Sequence, residues 1–320
     1  MPVLTVLVIL IGGSGVGAAD KPTLKDSDPA LHALRALGAE TETNERGNVT
    51  SLQFLQESVS DHDLGSLLGL PELQQLVVCS PYVTDEGLRT VRMLTGLKSL
   101  FLCSTKVSDK GMSYLDSLKN LQLLSLEKTQ VSSQGIRRIA SLQKLEWLDI
   151  AGTPNGDESC KVIRTIRNLK CLDVSSTTIG DNGLELISGM FGLTRLDISR
   201  TGITERGLHS VKRLTSLGEL CLPDSATDQT MDIVKSLARL KSVSLYRTAV
   251  SGNGLKRLVG LTHLEYVSLD GRSVDEAGLA ALKGIRNLKG VCVVGDPAIN
   301  GGGNRLKSAL PGIDITIAGE

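Results

Sequence analysis

The sequence predicts an α/β fold: a right-handed solenoid bent into a horseshoe, with a parallel sheet on the concave side and short helices on the convex side. Three observations carry this. Apolar starts recur at Val49, Leu73, Leu97, Leu121, Leu145, Leu169, Leu193, Leu217, Leu240, Leu264 and Leu288, in steps of 24 residues except for one of 23 after Asp224. Each start opens an L-x-x-L-x-L run, as at Leu193, Leu196 and Ile198. A Thr, a β-branched residue and a Ser/Thr-acid-x-Gly turn follow, and apolar residues then recur every three positions, as at Leu208, Val211 and Leu214. A fixed period of this length means stacked turns, each burying its apolar face on the next. At 320 residues the length alone suggests about two domains, but the repeat makes one continuous unit from Val49 to Leu310.

The first segment, residues 1–19, reads as a signal peptide. Val3 to Ile11 is apolar but shorter than the roughly 20 residues a bilayer span needs. Small residues follow, with Gly17 and Ala19 at the positions a signal peptidase reads, so that Asp20 begins the mature chain. Gly13-x-Gly15-x-x-Ala18 also imitates a dinucleotide-binding turn, but that turn must open a helix, and Asp20-Lys21-Pro22 breaks one.

Residues 20–48 are expected to form a linker and an N-terminal cap. Asp28 is placed as N-cap and Pro29 as the first residue of a helix running to about Leu37, with Leu31, Leu34 and Leu37 on one face and Gly38 as its stop. Thr41 to Thr43 and Val49 to Leu55 flank Glu45-Arg46-Gly47-Asn48 as a hairpin. Without such a cap the end turn would expose its apolar face. Asn48-Val49-Thr50 is a glycosylation sequon.

In each turn the strand places residues such as Leu196 and Ile198 inward and Arg195, Asp197 and Ser199 outward. The Thr recurring at 105, 129, 153, 177, 201 and 248 is expected to bond the buried loop backbone. Thr84-Asp85, Ser108-Asp109 and Thr204-Glu205 read as helix N-caps with an acid in the first turn. At the far end Gly301-Gly302-Gly303 replaces the helix start, and after Pro311-Gly312 the strand Ile313 to Ile317, within residues 311–320, closes the stack.

The form L-x-x-L-x-L-x-x-T-x-[VI]-[ST]-D-x-G-L resembles the T-D-x-G-L class of leucine-rich repeats, similar to the ribonuclease-inhibitor-like and cysteine-containing subtypes. The resemblance covers about Val49 to Leu310. It implies a protein-binding scaffold and supplies no catalytic residues. Such repeats form the substrate-receptor half of F-box ubiquitin-ligase adaptors, but the stretch before the cap is too short for an F-box. The exported bacterial proteins of this class are the closer likeness.

Equal numbers of Lys+Arg and Asp+Glu, 35 each, argue against a bulk polyanion binder, so nucleic acid is not an expected partner. His32, His62, His209 and His263 are not at metal-ligand spacing, and neither a G-x-S-x-G elbow nor a Walker loop is present, so no enzyme and no cofactor is expected. Cys160 takes a core Leu position, while Cys171, Cys221 and Cys292 face outward from separate strands. Cys79 and Cys103 share a column on adjacent strands about 4.8 Å apart, where a disulfide and two free thiols are both open readings. The convex basic residues, Arg137, Arg138, Lys161, Arg164, Arg167, Lys212, Arg213, Lys256, Arg257 and Lys283, read first as a solvated face.

The concave face carries the candidate site. Asp149, Asp173 and Asp197 fall on three consecutive strands, Glu127 and Glu219 flank them, and Arg195 offers local opposite charge; Asp270 lies further along. Four of the chain's eight aromatic residues, Phe101, Trp147, Tyr246 and Tyr266, land on the same face, and Trp and Tyr are the usual anchors of binding hot spots. Neighbouring carboxylates could share a Ca²⁺, but few other oxygen ligands are in reach, so no metal is assigned. The expected partner is a protein or peptide, with a basic segment to meet the acids. An intracellular adaptor and a structural envelope component are the alternatives.

Overall fold

The computed structural model describes residues 29–54, 58–294 and 302–318. The expected signal segment, the Asp28 cap, Leu55 and Gly301 lie outside the described residues. Among the described residues one sheet of thirteen strands runs in strict chain order. It begins with β1 (Ala39–Thr43), β2 (Val49–Phe54), β3 (Gln75–Val77), β4 (Ser99–Phe101) and β5 (Leu123–Ser125). The middle strands are β6 (Trp147–Asp149), β7 (Cys171–Asp173), β8 (Arg195–Asp197) and β9 (Glu219–Cys221). The last are β10 (Ser242–Ser244), β11 (Tyr266–Asp270), β12 (Gly290–Val294) and β13 (Asp314–Ala318). All neighbours are parallel except β1 and β2, the antiparallel cap hairpin.

Alternation along each strand builds the core. Leu172, Leu196 and Leu220 are each about 1% exposed or less, and the next inward row, Val174, Ile198 and Leu222, is equally buried. From the convex side Leu208, Val211 and Leu214 close on the same core at 1% exposure or below. These convex elements are one or two turns long, some α-helical as at Asp157–Ile163 and some 3₁₀ as at Gly111–Ser117. Each must fit within one repeat, so tertiary packing rather than helix length stabilises them.

The recurring Thr does what its position predicts. The hydroxyls of Thr129, Thr177, Thr201 and Thr248 donate to the carbonyl three residues back at 2.6–2.7 Å, and Thr105 does so at 3.0 Å. Thr153 bonds Ile150 in the same way. The residue just before each Thr turns the chain in the left-handed region: Ser104, Lys128, Gly152, Ser176, Arg200 and Arg247 all have positive φ. The 23-residue turn lacks that residue. There Pro223-Asp224-Ser225 makes a shorter corner, closed by the Ala226 N–H on the Pro223 carbonyl.

The acid of the Ser/Thr-acid motif corrects the sequence reading. It does not serve only its own helix; it reaches the next turn. Asp109 accepts from the Ser132 N–H at 2.7 Å, the Ser132 hydroxyl at 2.6 Å and the Gly135 N–H at 3.0 Å. Asp61 holds Thr84, Asp85 holds Ser108, Asp181 holds Thr204 and Asp228 holds Ser251 in the same way. Thr84 and Ser132 also cap locally, accepting from Glu86 and Gln134. Thr204 makes no such cap bond. The ladder also explains the motif's Gly: a Cβ at Gly135 would stand 2.5 Å from the Asp109 Oδ1.

A helix stands at each end of the stack. Helix Pro29–Ala36 buries Leu31 and Leu34, and Gly38, at φ 78°, ends it. In the hairpin turn the Asn44 carboxamide accepts from the Arg46 and Asn48 N–H groups. At the other end a helix forms over Gly302–Ala309, so two of the three glycines expected to displace its start lie inside it. Burial of Leu306 and Leu310 at 0% and 6% exposure offsets the poor helix propensity of Gly.

Candidate functional site on the concave face

Three outward columns cross the concave sheet. The first holds Leu123, Trp147, Cys171, Arg195, Glu219, Ser242 and Tyr266 in register. The second holds Val77, Phe101, Ser125, Asp149, Asp173, Asp197 and Cys221. The third, at the strand ends, includes Cys79, Cys103, Glu127, Tyr246 and Asp270.

The N-terminal third of this surface is not open. Phe101 and Trp147 are 2% and 7% exposed and pack with ring centroids 5.5 Å apart, spanning the strand between them. Val77 and Cys103 complete a second, smaller apolar cluster there, with Cys79, Leu123 and Cys171 at its rim. Outward on a strand therefore does not mean solvent-facing, because large side chains on turns about 4.8 Å apart cover one another. Phe101 and Trp147, expected as exposed anchors, are the floor of the face. Cys79 and Cys103 are not joined by a disulfide, and none of the other four cysteines forms one.

Asp149 is the second departure, at 1% exposure. The Ser125 hydroxyl donates to its Oδ2 at 2.8 Å, and the Ala151 N–H to its Oδ1 at 2.8 Å. Burial pushes its pKa up to about 6 against those two bonds, with Glu127 and Asp197 adding repulsion. Asp173 and Asp197 are half-buried and repeat the inner bond: the Ser175 and Ser199 N–H groups each donate to the aspartate two residues back at 2.9 Å. Burial, then Asp197 and Asp149, hold the Asp173 carboxyl well above the usual carboxylate range. Glu127 pairs with Lys128 at 3.0 Å.

Arg195 sits in the first column, and its guanidinium meets Glu219 on the next strand at 2.8 Å. Burial opposes its charge, yet Glu219, Cys221, Asp173 and Asp197 keep its pKa above the ordinary value. Arg195, the guanidinium beside Asp173 and Asp197, is thus committed to Glu219. Further along, Tyr266 is 49% exposed and Tyr246 and Asp270 are half-buried. The Tyr266 ring lies over Gly290, where a Cβ would stand 2.9 Å from its Cδ1. The open part of the face is therefore an acidic step on β7 and β8, an Arg195–Glu219 pair, and the Tyr246, Tyr266 and Asp270 end.

Burial pushes the Cys171 and Cys221 thiols up, opposite to what a nucleophile at neutral pH requires. Among the described residues no group of three or more His, Cys, Asp or Glu side chains is placed to hold a metal ion. Among those residues no helix is long and apolar enough to cross a membrane.

Comparison with known proteins agrees with the architecture. The Leucine Rich repeat family profile matches residues 165–188, one turn that begins just after helix Asp157–Ile163 and takes in β7 and helix Asp181–Ile187. The leucine-rich repeat ectodomain of the Arabidopsis receptor kinase HAESA, solved in complex with an N-terminally extended IDA peptide hormone, aligns at TM-score 0.55 and 16% identity over 85% of this chain. The fold is a leucine-rich repeat solenoid. The same receptor, solved with the peptide hormone IDA and a co-receptor, aligns at TM-score 0.53 and 16% identity over 84% of this chain. This solenoid spans 50% of the length of each of those two chains. An internalin from Listeria monocytogenes covers 83% of this chain, and 94% of its own, at 16% identity and TM-score 0.38. No curated protein matches the sequence.

Proposed function

We propose that this leucine-rich repeat solenoid is a non-enzymatic scaffold that binds a protein or peptide carrying a basic segment on the open part of its concave face. The observation that carries the reading is the acidic step itself. Asp173 and Asp197 stand in register on adjacent strands, while the nearest guanidinium is engaged by Glu219. A Lys or Arg from a partner would relieve their repulsion, and the exposed Tyr266 ring would take an apolar or cationic group. Strands β8 and β11 are three steps apart, about 14 Å, which an extended peptide crosses in about four residues. Phosphates would be repelled by the same acids, so nucleic acid is not the proposed partner. The peptide hormone bound by the HAESA ectodomain is consistent with a peptide ligand.

Export is proposed on the apolar run from Val3 to Ile11 and the small residues up to Ala19, with residues 20–48 as linker and cap, 49–310 as repeats and 311–320 as the closing strand. An intracellular adaptor is the second reading, favoured by six cysteines of which none forms a disulfide, two of them in one concave column.

The test is selection from a displayed peptide library on the purified chain, followed by Asp173→Asn with Asp197→Asn, and by Tyr266→Ala. Enriched peptides should carry Lys or Arg about four residues from an apolar side chain, and should bind more slowly at high salt. Each change should weaken binding at least tenfold. Peptides whose affinity and salt response ignore all three changes would move the site elsewhere.

A further inference from the structure

The two edges of the sheet are finished differently. Each end strand has a helix beside it, Pro29–Ala36 at β1 and Gly302–Ala309 at β13, but β1 also carries Glu40 and Glu42 and slips register between Glu42 and Thr43. Charges and bulges are usual means of keeping an edge strand from pairing. β13 has one charge, Asp314 at its first position, and pairs with β12 in unbroken parallel register. Its core-facing Ile315 and Ile317 are half-buried, whereas the equivalent Val291 and Val293 of β12 are 1% and 2% exposed.

The main chain of β13 is oriented as well. The Asp314 N–H donates to the Lys289 carbonyl at 2.8 Å. Along a strand the peptide groups alternate sides, so Asp314, Thr316 and Ala318 face β12, while the N–H and C=O groups of Ile315 and Ile317 face the edge that no other described strand covers.

We propose that the β13 strands of two copies of this chain pair antiparallel about a two-fold axis at Thr316, joining two solenoids through one continuous sheet. Parity fixes the register. Ile315 lies opposite Ile317 of the partner subunit, and Ile317 opposite the partner's Ile315, giving four main-chain hydrogen bonds from groups already turned outward. The four isoleucines then share the core-facing side and cover one another. Asp314 meets the partner's Ala318 rather than a second carboxylate. The contact is isologous and closes on itself. Stacking β13 on β1 of another copy, which would build an open filament, instead sets Asp314 against a strand bearing Glu40 and Glu42 and a register slip.

Light scattering on the full chain across a dilution series tests this, with a mass of twice 34.0 kDa expected at the concentrated end. Thr316 is exposed and sits at the centre of the proposed contact in a non-hydrogen-bonded pair, where Cα atoms approach to about 4.5 Å. Thr316→Cys treated with oxidised glutathione should therefore give a covalent dimer on a non-reducing gel, which the unmodified chain does not. Thr316→Lys places two ammonium groups opposite each other and should weaken dimerisation at least tenfold while leaving the circular dichroism unchanged. A wild-type chain that is monomeric at every concentration overturns the proposal. So does a dimer that withstands Thr316→Lys and fails to cross-link through Thr316→Cys.

Discussion

Asp109 and Ser132 sit on consecutive turns, 23 residues apart in sequence, and are joined twice, once through the serine N–H and once through its hydroxyl. The carboxylate also takes the Gly135 N–H. Asp109→Ala should remove three charge-assisted bonds and lower stability by about 2–3 kcal/mol. Glu158→Ala, which breaks only the exposed pair with Lys161, should leave it nearly unchanged. Equilibrium urea unfolding of both variants checks the contrast. Equal losses would show that the ladder is decoration.

Strand phase is tested at two adjacent residues. Leu196, at 0% exposure, should lose about 2–5 kcal/mol on change to Ala, while the half-buried Asp197→Ala should lose far less.

The aromatics on the concave face should divide the same way. Phe101→Ala empties a packed cluster against Trp147 and should be destabilising by about 3–5 kcal/mol, as in any core. Tyr266→Ala, at the open end, should leave the unfolding midpoint nearly unchanged. Trp147 fluorescence gives an independent readout, since Phe101→Ala exposes the indole and should shift its emission to the red.

Asp149 makes stability depend on pH. Its folded pKa, about 6, lies above the unfolded value near 4, so the folded state holds the proton more tightly. The associated stability is present in full below pH 4 and is lost as pH rises through about 6. Raised in the same direction, Asp173 adds to the trend. Asp149→Asn should flatten the pH 4–7 part of the unfolding curve and make the chain more stable than wild type at pH 7.5, by an amount on the order of 2 kcal/mol. A wild-type curve that rises between pH 4 and 7 relative to the variant would reverse the sign and defeat the assignment.

Much of the fold is legible in the sequence because each turn repeats its inward leucines, its Thr and its Gly at fixed offsets. The Thr reading needed only a bond three residues back, within one turn, and the structure has it. Asp109 was harder to read, since its partners lie a whole turn away and local patterns describe only neighbours along the chain. Phe101 and Trp147 show a second limit. Alternation tells which side of the sheet a residue faces, but not how far the side chains of adjacent turns cover it. The acidic column at Asp173 and Asp197 was visible as a spacing of 24, yet the engagement of Arg195 by Glu219 depends on rotamers that no spacing encodes.

The acid-to-hydroxyl ladder also governs what insertions and deletions the chain can absorb. Each ordinary unit brings one socket for the unit before it and one plug for the unit after it, both at constant places in the period. Excising or copying one whole unit between Asp85 and Ser132 rejoins plug to socket, because Asp85 and Asp109 hold Ser108 and Ser132 alike. A cut of half a unit would strand a carboxylate opposite a helix flank and turn the inward leucines out of phase. A single residue can be lost at a corner, as in the 23-residue turn, but otherwise the molecule is modular in steps of one turn, so that its length, and with it the reach of its concave face, changes by whole rungs.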